Sequence, residues 1–94
     1  MQVSIFGKTN CGKCLSTKKM LGHFIPKWGL ADKVTVEFYD MDTTDGLAEG
    51  SFYDVSVVNL PTVIIAEGEK TVARWEGHIP NTDELKVALV GAKA

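Results

Sequence analysis

Cys11-Gly12-Lys13-Cys14 stands where an alternating run, Gln2 to Phe6, ends in turn-forming residues and a helix-patterned segment begins. A strand that turns at once into a helix points to an α/β layout, with the helix laid back on a sheet. The motif holds the only two cysteines of the chain. Zinc wants four ligands, and neither a second C-x-x-C nor a spaced His pair follows, so a closed zinc site lacks half its donors. Two thiols three residues apart at a helix start can instead close a small disulfide ring. The first of them faces unpaired backbone N–H groups that favour its thiolate. Thiol–disulfide exchange is the chemistry this arrangement suggests.

Ninety-four residues suit one domain, 1–94, with one core and no room for a second. A net charge of −2 gives no electrostatic reason to expect nucleic acid. Met1 runs directly into the first strand, with neither a signal-peptide core nor 18 consecutive apolar residues, so no membrane span is expected and the location reads as cytoplasmic. In that compartment a cysteine pair is more often catalytic than structural. Lys13, Lys18 and Lys19 form a local patch that reads first as a solvated helix face, with help for a nearby thiolate or an acidic partner as its functional alternative.

Val3 and Ile5 alternate with Gln2 and Ser4 as in a strand, and Gly7 to Asn10 break the pattern. From Cys14 the positions 14, 17, 21, 24, 25 and 28 repeat at helical spacing, which places Leu21, Phe24, Ile25 and Trp28 against a sheet. Pro26 should kink or end this helix, and Gly29 should close the segment. Val34 to Tyr39 make a second strand that ends at Asp40-Met41-Asp42. Thr43 to Asp45 cap a short helix expected to turn Leu47, Phe52 and Val55 inward. Pro61 opens Thr62 to Ala66, an apolar run suited to a central strand, and Glu67 to Lys70 turn into a last strand at Val72 to Trp75. Asn81 with Glu84 has the form of a capping box for a final helix carrying Leu85, Ala88 and Leu89 inward. The expected order is β-α-β-α-β-β-α, an α/β fold with helices on the faces of a mixed four-stranded sheet.

This order, with C-x-x-C after the first strand and Leu60-Pro61-Thr62 before the third, resembles the thioredoxin fold in its minimal glutaredoxin form, over nearly the whole chain. Thioredoxins share C-G-x-C, but they carry a Trp, a Pro and a buried Asp where this chain has Asn10, Lys13 and Ile5. Glutathione-using glutaredoxins carry Gly-Gly-x-Asp before the last helix, where this chain reads Gly77-His78-Ile79-Pro80-Asn81-Thr82-Asp83. Trp75 to Pro80 is similar to the W-S-G-F-R-P segment of the NrdH redoxins, the glutaredoxin-like electron donors to ribonucleotide reductase. Asn59-Leu60-Pro61 is similar to their Q-L-P. The chain departs from them in having Cys-Gly-Lys-Cys for C-[MV]-Q-C and a longer stretch, Leu15 to Lys33, between the motif and the second strand, enough for a thioredoxin-length first helix.

The resemblance implies a cis Leu60–Pro61 bond beside the cysteines, an isomer found at only about 5–6% of X-Pro bonds. It implies an attacking, low-pKa thiol at Cys11 and a resolving thiol at Cys14. Gly12 and Lys13 would tune the thiolate, Lys8 adding little. Leu60, Pro61 and Thr62 would line a groove in which Leu60 offers its main chain to an extended disulfide-containing protein substrate. Trp75, Gly77 and His78 would face a partner, although Trp75, Trp28, Phe6 and Phe38 are most simply core aromatics. His23 lies about 180° around the helix from Cys14 and belongs to the surface. A monomer without a cofactor, recharged by a thioredoxin-reductase-type flavoenzyme, is expected. The rival from another class is a module holding a metal or an iron–sulfur cluster through the same two cysteines.

Overall fold

Chain order in a computed structural model that describes residues 1–91 is β1 (Gln2–Gly7), α1 (Gly12–Lys27), β2 (Thr35–Asp40), α2 (Thr44–Phe52), β3 (Thr62–Glu67), β4 (Lys70–Glu76) and α3 (Thr82–Lys86), continued by a π-helical turn at Val87–Gly91. The strands lie in the order β2-β1-β3-β4. β1 and β2 are parallel, so α1 makes the crossover that parallel pairing needs, and the other two pairings are antiparallel. This is the element order and mixed sheet expected from the sequence. Among the described residues no helix is long and apolar enough to cross a membrane.

β1 and β3 are covered on both faces. Val3, Ile5, Val63 and Ile65 meet Leu21 and Ile25 of α1 and Leu85 of α3 on one side, while Phe6 and Ile64 meet Met41 on the other. Ser4 is therefore buried too, and its hydroxyl accepts from Gln2 Nε2 at 3.4 Å. α1 buries Cys14, Thr17, Leu21 and Ile25 at helical spacing, with Phe24 and Trp28 half-buried at its margin.

Pro26 does not break α1. It sits in the last turn, where the missing N–H deprives only the Gly22 carbonyl of a partner, and the helix runs on to Lys27. Gly29, at φ 73°, then reverses the chain so that the Leu30 N–H donates to the Ile25 carbonyl at 2.9 Å. The inner face of α2 also differs from expectation. Leu47 is 45% and Phe52 78% exposed, and the buried positions are Gly46 and Gly50. The helix lies so near β2 that a Cβ on Gly46 would overlap the Asp40 carbonyl, and one on Gly50 would stand 2.6 Å from Met41 Cε. Close approach has replaced apolar side chains there, and Val55, half-buried beyond the helix, packs with Met41.

Gly68, at φ 62°, makes the β3–β4 turn, with Glu67 paired to Lys70. Asn81 caps α3 by accepting from the N–H groups of Asp83 and Glu84 at 2.9 and 3.3 Å. The reciprocal half of the capping box is absent, because the Glu84 carboxylate instead accepts from Trp75 Nε1 at 3.1 Å.

Candidate active site

One end of the sheet collects four loops. β1 leaves it at Gly7, which pairs with Asp40 at the end of β2; on the other side Phe6 pairs with Thr62, and Thr62 with Glu76. The cysteine loop, the acidic bend at 40–43, the Leu60–Pro61 entry to β3 and the exit of β4 therefore emerge together.

Cys11 is the N-cap of α1, with extended backbone at φ −103° and ψ 114°. Its sulfur accepts from the Cys14 N–H at 3.2 Å, the contact by which a helix N-terminus stabilises a thiolate in preference to a thiol. The two Cα atoms are 5.2 Å apart, within the range a disulfide spans, and the sulfurs are joined. Exposure separates the two: Cys11 is half-buried at the surface and Cys14 is fully buried. Behind Cys14, Thr17 donates to the Lys13 carbonyl at 2.8 Å and closes the first turn over the core.

Gly7 forms the floor under Cys14. A Cβ at that position would stand 2.6 Å from Cys14 Sγ and 2.7 Å from Cys14 Cβ, and the Gly7 carbonyl accepts from the Met41 N–H at 2.8 Å. Sequence reasoning assigned Gly7 only to a turn. No pattern in the chain distinguishes a glycine needed for a bend from one needed for space.

The remaining residues named from the sequence fall into three groups. Gly12 and Lys13 are exposed, and a Cβ on Gly12 would meet nothing within 4 Å. Lys8 reaches Asp42 at 3.5 Å. The Leu60–Pro61 bond is cis. Pro61 is buried, its carbonyl accepting from the Gly77 N–H at 3.0 Å, and the Leu60 side chain packs against the Phe6 cluster. Among the described residues neither the N–H nor the C=O of Leu60 has a backbone partner. Thr62 does not form a groove wall: it is fully buried, and its hydroxyl donates back to the Asn59 carbonyl at 2.8 Å. It braces the loop that carries Leu60.

Trp75 is a core residue, 8% exposed and tied to Glu84, so of the expected partner-facing residues only His78 is exposed, with Gly77 half-buried. Gly77 adopts φ 77° beside Asn59, and exposed His78 places Nδ1 3.0 Å from the Glu76 carbonyl. His23 is exposed and set edge-on against Phe24, away from the cysteines. Among the described residues no three His, Cys, Asp or Glu side chains gather as a metal-ligand set.

The fold is that of the thioredoxins. Thioredoxin 1 from the thermophilic eubacterium Thermosipho africanus TCF52B superposes with a TM-score of 0.76 at 16% identity, over 99% of this chain and 94% of that one. Oxidised thioredoxin O2 from Arabidopsis thaliana superposes at 0.74 with 21% identity, over 96% and 72% of the two chains. Chloroplastic thioredoxin z gives 0.72 and 22%, over 99% and 79%. At these identities the likeness is one of backbone. No protein-family model matches the sequence, and neither does any curated protein sequence.

Proposed function

We propose that this chain is a single-domain dithiol–disulfide oxidoreductase that reduces protein disulfides. The observation that carries the reading is the asymmetry of the pair: a half-buried Cys11 over a fully buried Cys14, 5.2 Å apart between Cα atoms at one helix N-terminus. In the reduced protein the Cys11 thiolate attacks a substrate disulfide, forming a mixed disulfide and expelling one substrate thiolate. Cys14, deprotonated, then attacks Cys11 Sγ, expels the second substrate thiolate and leaves the Cys11–Cys14 disulfide. Two electrons pass to the substrate, and two must return from a reductant. The free main chain of Leu60 supports an extended substrate segment pairing beside the disulfide.

For the return of electrons we infer a thioredoxin-reductase-type flavoenzyme rather than glutathione. Gly77 to Asp83 lacks the Gly-Gly-x-Asp signature, and Trp75 to Pro80 is similar to the NrdH redoxin segment, which supports a glutaredoxin-like carrier; a monomer acting in the cytoplasm completes the proposal. Insulin reduction tests both layers. Turnover with NADPH and thioredoxin reductase, and little with millimolar glutathione and its reductase, is the expected result. Turnover with glutathione alone would overturn the choice of reductant; turnover with neither, and none with dithiothreitol, would overturn the oxidoreductase reading.

A further inference from the structure

Charge is distributed unevenly along this chain. Residues 1–31 carry five lysines, at 8, 13, 18, 19 and 27, and no carboxylate; residues 32–94 carry all twelve carboxylates and five cations. The first third is therefore +5 and the remainder −7 in a protein of net −2. The fold gathers four of those lysines on the solvent side of α1, the helix that begins at the cysteine pair.

Among the described residues those four have no ion-pair partner. The ion pairs among the described residues are Lys8–Asp42 and Arg74–Glu76, so Lys13, Lys18, Lys19 and Lys27 have no carboxylate within 4.0 Å. Lys18 Nζ lies over the Phe38 ring at 5.2 Å and Lys27 Nζ over Phe24 at 5.7 Å, contacts that hold an ammonium without discharging it. At about 1.5 Å per residue, Lys18 and Lys19 stand roughly 10–12 Å along the helix axis from Cys11, close to one Debye length at physiological salt. The acidic bend at Asp40 and Asp42 lies at the end of β2, the strand that carries Phe38, and Asp42 there is paired with Lys8.

We propose that the outer face of α1 docks an acidic segment of the protein substrate, next to the disulfide that Cys11 attacks, and so selects disulfides flanked by Asp or Glu. The proposal rests on the oxidoreductase reading. A broad polyanion fits less well, since the patch is one helix wide and the rest of the chain would repel it.

The test is single-turnover reduction, by pre-reduced protein, of three cyclic disulfide peptides that differ only in flanking residues: three Asp, three Ser or three Lys. At about 10 mM ionic strength, where the Debye length is about 30 Å, the Asp peptide should react roughly tenfold faster than the Lys peptide. In 1 M salt, where that length is about 3 Å, the ratio should fall below about twofold. The variant K18E/K19E divides out the peptides' own reactivity. It should invert the Asp-to-Lys preference while keeping the Ser peptide within about twofold of the parent rate, which also shows the variant is folded. Equal Asp and Lys rates in the parent protein at low salt would overturn the proposal. So would binding to duplex DNA or anionic vesicles without discrimination between peptides, in favour of a polyanion site. Failure to reduce any of the three would instead sink the oxidoreductase reading, and this inference with it.

Discussion

Replacing Gly7 with alanine tests how the buried cysteine is seated. The added methyl would lie 2.6 Å from Cys14 Sγ and 2.7 Å from Cys14 Cβ, while its 3.5 Å approach to Phe38 is an ordinary contact. Neither partner yields easily. Gly7 ends a central strand paired on both sides, and Cys14 belongs to the first turn of α1 and is tied to Cys11. Overpacking of this kind costs about 1–3 kcal/mol. In a domain of this size that lowers the melting temperature of the oxidised protein by roughly 4–8 °C per kcal/mol. Reduction frees the sulfur to rotate away, whereas the clash with Cβ remains, so both forms should lose stability and the oxidised form more. A difference of about 1 kcal/mol between them raises the reduction potential by roughly 20 mV. Melting of both forms by circular dichroism, with equilibration against a dithiothreitol couple, measures each quantity. Equal losses in the two forms with an unmoved potential would refute the idea that Gly7 makes room for the sulfur.

The two cysteines should fail differently. Cys11→Ser should abolish exchange, whereas Cys14→Ser should accumulate a mixed disulfide with insulin that mass spectrometry detects; trapping by Cys11→Ser alone would reverse the assigned roles. Gly46→Ala should destabilise by about 3 kcal/mol or more, because its Cβ meets backbone that cannot turn aside, while Gly12→Ala should be neutral or stabilising by up to about 1 kcal/mol; urea midpoints of the pair would expose an error in either placement. Thr62→Val keeps the strand shape but removes the hydrogen bond to Asn59, at a cost of about 1–2 kcal/mol in urea unfolding, and unchanged stability would show that the bond does not brace the loop.

The parts of this protein legible from sequence are those whose signal is local. Asn81, Thr43 and Gly29 act through backbone groups within a few residues, and each caps or closes its helix as its position implies. Periodicity located α1 and the strands because burial on one face repeats with the geometry of the element. The inward face of α2 departs from its sequence pattern for the complementary reason. Leu47 and Phe52 have the composition of a core, yet whether a helix buries side chains or glycines depends on its distance from the sheet, which Asp40 and Met41 set from outside the segment. Thr62 and Glu84 likewise each have a choice of hydrogen-bond partners that only the tertiary fold resolves, in favour of the Asn59 carbonyl and Trp75 Nε1.

The same distinction bears on how the candidate site is built. Nothing in it depends on a long side chain reaching across solvent. Cys11 is oriented by its own helix N-terminus, Cys14 by a glycine on the neighbouring strand, and Leu60 by Thr62 below it and by the Pro61–Gly77 main-chain bond beside it. Each of these is fixed by backbone or by a fully buried group, so the reactive pair and its neighbouring strand entry are held by the sheet itself. The exposed residues around them make surface contacts at most: a Cβ on Gly12 would meet nothing within 4 Å, Lys18 and Lys27 lie over Phe38 and Phe24, and His78 stands against the Glu76 carbonyl. On the proposed chemistry it follows that substitutions on this rim should change which disulfides are attacked and how fast they are met. Those at Gly7, Thr17 or Thr62 should change whether the pair is seated at all. A rim substitution that altered the stability of the oxidised form as much as Gly7→Ala would contradict that division.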